Sequence, residues 1–306
     1  MQHLFSSIPP PAFTPESLID LSTKVYIITS RAPSSLHLAK ILYALHATIY
    51  LGFDSNTNFQ AVVDDIKVAT PGSKGSLKLF LFDPRDSSSV KTAVERVVEQ
   101  EWRLDILFLN TQDGVLLVLF TLANLLLPLL HATASHFCHP NPSIRVVWIA
   151  PSSMPNTDSG STHPGAADTM YLLAHAFTTL PPPSPKLATS ANAHNLPTSN
   201  PSGVQHVCVT TNPEYPKWQR FVKYLVPVSP KDEVEKAACT LLYAGLAPDV
   251  RSGDWVAPWG RRAVVPEHLQ ACTMEKHGKE TSSSAQVYAR YVVMMRQFMG
   301  GQNATC

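Results

Sequence analysis

The segment from Val25 to Asp54 constrains the fold of this chain more than any other. It reads VYIITSRAPSSLHLAKILYALHATIYLGFD. A continuous apolar run of strand length, Val25 to Thr29, precedes apolar residues at helical spacing, and Ala47 to Leu51 is a second β-rich run. This pattern predicts a strand, a helix and a second strand, the unit that binds nucleotides when the turn after its first strand is rich in glycine. The first glycine of the chain is Gly52, so the turn has none.

Strand-like and helix-like patterns continue to alternate beyond this unit. With 306 residues, 44% of them hydrophobic, the chain can bury a large core. We therefore predict an α/β fold, a Rossmann-like doubly wound parallel sheet with both faces covered by helices. We expect a single domain over residues 23–264, an N-terminal extension over 1–22 that includes a short helix, and a C-terminal helical extension over 265–306. Further strands are predicted at 77–82, 104–109, 145–150, 204–211 and 254–258, and further helices at 59–66, 87–101, 115–130, 170–180, 232–245 and 286–299.

Composition excludes several classes of partner. A net charge of +1 without a basic run argues against nucleic acid and anionic lipid. The five cysteines form no CxxC pair, so neither a disulfide framework nor a metal site is predicted. Leu116–Leu130 is the most apolar run, but it is too short to cross a bilayer and is expected in a core or subunit interface. No secretory signal is recognised, and a cytoplasmic protein is expected.

Eight segments together resemble one known family. They are VYIIT, ILYALHATIY, FLFDPRDSSSV, RLDILFLN, RVVWIAPSS, MYLLAH, VCVTTNP and DWVAPWGR. They resemble the short-chain dehydrogenase/reductase superfamily, and specifically filamentous-fungal reductases related to the WW-domain oxidoreductases. The resemblance implies NAD(P)-dependent hydride transfer, a setting in specialised metabolism, and a homodimer built from the helices at 116–130 and 170–180.

The cofactor positions depart from the family pattern. The turn TGxxxGxG corresponds to residues 29–36, where Pro33 also removes a backbone donor and Arg31 either pairs with a phosphate or lies on a closed surface turn. By resemblance Asp54 falls at the adenosine ribose and favours NAD over NADP. Asp83 matches the residue at the adenine edge, although aspartate before a turn is also ordinary capping chemistry. Asn110 matches the first residue of the family's NAG motif.

The proton relay departs as well. Tyr171 matches the tyrosine of the family's YxxxK motif, but His175 stands in place of the lysine. Imidazole is mostly neutral near pH 7 and does not lower the pKa of a phenol as lysine does, and a lone helical histidine is also an ordinary core or surface residue. Pro151 takes the position of the catalytic serine, with Ser152 the nearest hydroxyl. No residue matches the active-site asparagine, and the Pro-Gly expected after the sixth strand is Pro213-Glu214.

Three hypotheses of function remain open. In the first, the chain uses no cofactor and isomerises, cyclises or cleaves an apolar small molecule, a pericyclic step included. Tyr171, His175 and Ser152 are then the catalytic residues, and Glu214, Tyr215 and Trp218 shape the pocket. The second is an NAD(P)H-dependent reductase with an atypical cofactor loop. The third is a non-catalytic protein that partners an active paralogue. Residues 182–203, rich in proline, serine and asparagine, are expected to form a mobile loop, and whether it closes over the site is left open.

Overall fold

The computed structural model describes residues 11, 13–53, 56–110, 116–136, 144–150, 166–180, 203–211, 230–273 and 283–300. Its strands are β1 (Val25–Ile28), β2 (Thr48–Phe53), β3 (Ser76–Leu81), β4 (Ile106–Asn110), β5 (Ile144–Ala150), β6 (Val204–Thr210), β7 (Trp255–Ala257) and β8 (Arg261–Ala263). Its helices are α1 (Pro33–Ala44), α2 (Asn56–Ala69), α3 (Ser87–Gln100), α4 (Leu116–His136), α5 (Ala166–Thr179), α6 (Pro230–Leu246), α7 (Glu267–Thr273) and α8 (Ser283–Gly300).

The strands form one sheet in the order β3-β2-β1-β4-β5-β6-β7-β8. Every neighbouring pair is parallel except β7 and β8, which are antiparallel. Strand β1 lies between β2 and β4, with Tyr26 in register with Ile49 and Ile106. The order reverses at this point, which is where open α/β sheets place their binding crevice. The predicted Rossmann-like α/β fold is confirmed.

Helices cover both faces of the sheet, as the all-apolar central strands require. One buried cluster joins the sheet to α1, α2 and α6. The other joins it to α3, α4 and α5, and α8 adds Tyr288 and Val292 to this second cluster. The chain after β8 therefore packs back onto the core.

Helix α4 is longer than its apolar run indicated. It continues past Pro128 to His136, because the residues beyond Leu130 still pack on the helix layer, with His131 and Thr133 both buried. Within the described residues it is the one helix long and apolar enough to span a membrane, and most of it is buried inside the protein.

Three elements differ from the sequence predictions. Strand β8 and helix α7 were not predicted, and the predicted N-terminal helix is only a 3-10 turn at Pro15–Ser17. Strand β8 pairs with β7 after a turn in which Trp259 and Gly260 adopt φ of 68° and 72°. Its side chains are mostly exposed, so no apolar alternation marks it in the sequence.

Candidate active site

Side chains tie the carboxyl ends of β1 and β4 together. The Asn110 backbone N–H donates to Thr29 Oγ1 (3.2 Å), and Asn110 Nδ2 donates to Ser30 Oγ (2.9 Å). Asn110 and Ser30 are both buried. The side chain of Asn110, predicted at the cofactor, is thus engaged in holding the turn after β1.

The same serine closes that turn from within. Ser30 Oγ accepts a hydrogen bond from the Ala32 N–H (3.0 Å). The next residue, Pro33, is the first of α1 and has no N–H, and α1 begins without a side-chain cap. In a dinucleotide-binding turn, glycines let the backbone approach the pyrophosphate and backbone N–H groups bind it. Here a hydroxyl takes one N–H and proline removes another, so these residues do not fit a pyrophosphate cradle.

The end of β2 packs tightly against this turn. A Cβ added to Gly52 would lie 2.9 Å from both Cα and O of Thr29, so the two strand ends approach backbone to backbone. The exposed Arg31 places its guanidinium carbon 5.7 Å from the centre of the Phe53 ring, a cation–π contact. The phosphate-binding role predicted for Arg31 stays a prediction.

Asp83 has an ordinary role in the turn before α3. Its Oδ1 accepts from the Arg85 N–H (2.9 Å), and its own N–H donates to Ser89 Oγ (2.9 Å). The side chain is exposed. Its geometry is that of an Asx turn, whereas Asp86 is the N-cap of α3, and the role of Asp83 at an adenine edge stays a prediction.

Tyr171 lies between α5 and the sheet. It is 6% exposed, and its ring stacks on Trp255 of β7 with centroids 5.5 Å apart and an interplanar angle of 27°. Trp255 Nε1 donates to Thr210 Oγ1 (2.9 Å) at the carboxyl end of β6, which fixes the indole. Burial, helped by Cys208 and Asp254, raises the pKa of the Tyr171 phenol to about 12. The phenol is therefore neutral at physiological pH.

His175 lies one helical turn after Tyr171 and is half-buried. Burial lowers the pKa of its imidazole, so the ring is neutral at pH 7. Its buried Nδ1 has no hydrogen-bond partner among the described residues. Among the described residues, the ring of Tyr171 stacks on Trp255 and makes no ring contact with His175.

Five of the predicted site residues lie outside the described residues. They are Asp54, Ser152, Glu214, Tyr215 and Trp218, and the predicted loop at 182–203 lies outside as well. The structure adds residues that were not predicted at the site: Ser30, Ser35, Thr210 and Trp255. Ser35 lies in the first turn of α1, is fully buried, and its hydroxyl has no partner among the described residues. Two of these residues had a signal in the sequence: Ser30 occupies the position of the first glycine of TGxxxGxG, and Trp255 is the first tryptophan of DWVAPWGR.

Comparison with known proteins decides the family. The chain is 32% identical to a short-chain dehydrogenase/reductase of Phomopsis amygdali over 306 residues, an alignment that covers 85% of each chain. The chain belongs to the short-chain dehydrogenase/reductase family. A second short-chain dehydrogenase/reductase, from Emericella nidulans, is 31% identical over 160 residues, covering 46% of this chain and 51% of that relative. No protein-family model matches the chain.

Solved structures agree on the fold of this short-chain dehydrogenase/reductase. An uncharacterised protein from Mycobacterium paratuberculosis superposes with a TM-score of 0.52 at 15% identity, covering 94% of this chain and 97% of that one. A short-chain dehydrogenase/reductase from Burkholderia xenovorans superposes with a TM-score of 0.52 at 16% identity, covering 78% and 95%. At these identities the similarity establishes the fold alone.

Proposed function

We propose that this short-chain dehydrogenase/reductase acts on an apolar small molecule without hydride transfer, as an isomerase, cyclase or lyase. One observation carries the proposal: the pKa of the Tyr171 phenol is raised to about 12, and the residue one turn later is a neutral histidine. A reductase of this fold uses its tyrosine as a proton donor and acceptor, which calls for a lowered pKa. The closed turn at Ser30 supports the same reading, since it does not fit a dinucleotide.

A neutral phenol and a neutral imidazole still support proton chemistry. The Tyr171 hydroxyl can donate a hydrogen bond to a carbonyl oxygen of the substrate, and Trp255 holds its ring in place. His175 is uncharged at pH 7 and can accept a proton from a carbon next to that carbonyl. In this scheme Ser152 is a further hydrogen-bond donor, and Glu214, Tyr215 and Trp218 shape the pocket. A cytoplasmic enzyme of specialised metabolism would suit this chemistry.

Isotope exchange tests the proposal without knowledge of the natural product. A panel of apolar ketones and enones is incubated with the protein in D2O, with no cofactor added, and exchange at the α-carbon is followed by NMR. We expect exchange with at least one compound, and a loss of roughly 100-fold or more in Tyr171→Phe and in His175→Ala. Tyr288→Phe is the matched control. It also removes a buried tyrosine hydroxyl, but this one lies on α8, has no hydrogen-bond partner among the described residues and has no role in the proposed chemistry. Equal exchange in Tyr171→Phe and wild type would contradict the proposal.

A reductase with an unusual cofactor turn is the second candidate. The observation in its favour is that Ala32, the N-cap residue of α1, provides no side-chain cap, and the positive end of a helix attracts anions. This candidate predicts that deuterium from NADH labelled at the reactive carbon of its nicotinamide enters the product. The first candidate predicts none. A non-catalytic binding role, the third hypothesis, is rejected by any turnover that Tyr171→Phe abolishes.

A further inference from the structure

Helix α4 needs a cover on the side that faces away from the sheet. It is apolar on nearly every side, and a helix of this kind has to be buried all round. The sheet covers one side. Helix α5 lies next in the same buried cluster, and together α4 and α5 form an apolar outer face.

Helix α8 supplies that cover from the same chain. The Phe120 ring of α4 lies 5.5 Å from the ring of Tyr288 and 5.5 Å from that of Tyr291, both on α8. The Phe177 ring of α5 lies 5.4 Å from Tyr288, edge to face. Edge-to-face packing of this kind is a favourable aromatic geometry. One residue of α8 therefore contacts both helices of the face.

The sequence of α8 is amphipathic, with buried residues along one side of the helix. Ser284, Tyr288 and Val292 recur at intervals of four and are 1%, 6% and 8% exposed. Further apolar residues of α8 pack against the same cluster: Val287, Tyr291, Met295 and Phe298. Ala289 and Gln297 are exposed on its other side. An amphipathic helix with this pattern docks one face and leaves the other in water.

The length of α8 also matches the face. It has 18 residues and α4 has 21, so the two helices are roughly 27 and 31 Å long at 1.5 Å per residue. The two helices are therefore of comparable length, and α8 contacts α4 around Phe120 and α5 around Phe177.

We propose that α8 seals the α4 and α5 face within one chain, in the position that a second subunit would otherwise take, and that the protein is a monomer. The homodimer expected through these same two helices remains an untested prediction, and this proposal competes with it directly. Detachment of α8 would expose the apolar α4 and α5 face and lead to self-association, because large contiguous apolar patches are rarely exposed in monomers.

The mass of the full chain is the first test. Size-exclusion chromatography with light scattering should give 33.5 kDa over a wide range of concentration. A mass of twice that value would overturn the proposal.

Two charged variants of α8 are the second test. Tyr288→Glu with Val292→Glu places two carboxylates in the buried face, whereas Ala289→Glu with Gln297→Glu adds the same charge to the exposed face. We expect the first pair to lose amide protection in α8 and to double in mass or more, and the control pair to stay monomeric. Protection of β1 and β4 amides distinguishes detachment of α8 from global unfolding. The proposal is contradicted if the Tyr288→Glu, Val292→Glu variant keeps the α8 amides protected, or if it stays monomeric after those amides lose protection. If the β1 and β4 amides also lose protection, the variant has unfolded, and the mass of the wild-type chain alone decides.

Discussion

At the scale of single residues, a histidine at position 175 changes what Tyr171 can do. The family pattern would place a lysine cation there, and a cation near a phenol favours the phenolate and lowers the pKa. His175 is neutral at pH 7 and does not oppose burial, which together with Cys208 and Asp254 raises the pKa of Tyr171. The same tyrosine thereby becomes a weak acid that can still donate a hydrogen bond.

Arg145 is a buried residue that stabilises the end of the sheet opposite the site. It is 3% exposed, and its Nη1 and Nη2 donate to the carbonyls of Ala244, Gly245, Ala247 and Val250 at and just beyond the end of α6. Nε donates to Gln205 (2.8 Å). Burial lowers the pKa of its guanidinium to about 10, so it stays charged at pH 7 and complements the negative end of the helix.

We predict that Arg145→Met lowers the free energy of unfolding by about 3 kcal/mol, because it leaves buried carbonyls without donors. Urea unfolding followed by circular dichroism measures the change. Arg96→Met on the exposed side of α3 is the control, and we expect it to stay within about 0.5 kcal/mol of wild type. Equal stability of the two variants would show that the α6 terminus does not depend on the guanidinium.

Two buried histidines, His206 and His131, make the stability of the fold depend on pH in the acid range. Burial lowers the pKa of His206 to about 3 and that of His131 to about 4. His206 Nδ1 accepts from Trp148 Nε1 (3.3 Å), whereas His131 Nδ1 has no partner among the described residues. Below pH 6.5 the unfolded chain binds protons that the folded chain does not, so stability falls as pH falls. His206 alone contributes up to about 1.4 kcal/mol per pH unit.

We predict that His131→Leu loses less stability than wild type between pH 7.5 and pH 5.0, because it removes one of the histidines that burial keeps neutral. Unfolding by urea at both pH values measures the difference. His136→Leu, at the exposed end of the same helix, should lose as much as wild type. If His131→Leu and His136→Leu lose stability equally, His131 is not held neutral by the fold.

At the scale of elements, the turn between β1 and α1 is closed from two sides. Ser30 ties it to Asn110 of β4, and the end of β2 presses on it at Gly52. We predict that Gly52→Ala lowers the free energy of unfolding by about 2 kcal/mol, since its Cβ would meet backbone atoms of Thr29 that cannot move alone.

Gly72→Ala is the matched control for this substitution. A Cβ there meets no heavy atom within 4 Å, so stability should stay equal or rise by about 0.5 kcal/mol. Chemical denaturation of both variants provides the comparison. If Gly52→Ala is as stable as Gly72→Ala, the strand ends are further apart than the structure places them.

The long elements could be predicted from the sequence and the contacts of the turn could not. Strands such as β5 are apolar throughout and buried on both faces, so the pattern alone identifies them. The hydrogen bond from Asn110 to Ser30 joins residues 80 positions apart, and nothing local records it. The stack of Tyr171 on Trp255 likewise depends on how α5 lies across the sheet. Both contacts depend on tertiary packing, which the periodicity of the sequence does not reveal.

At the scale of the whole molecule, the family's architecture persists while its reaction centre differs. The sheet order, the switch point beside β1 and both buried clusters match a doubly wound fold. The departures lie in the β1 turn and at position 175. A fold does not fix an activity, because activity depends on the residues at the site. These two departures are the basis of our proposal that the cleft no longer serves hydride transfer.

Calorimetric titration of the full chain with NADH and with NADPH tests this account most directly. We predict no binding heat with either cofactor up to millimolar concentration, because Ser30 engages one backbone donor of the turn and Pro33 lacks another. Saturable binding of either cofactor at micromolar concentration would contradict the account.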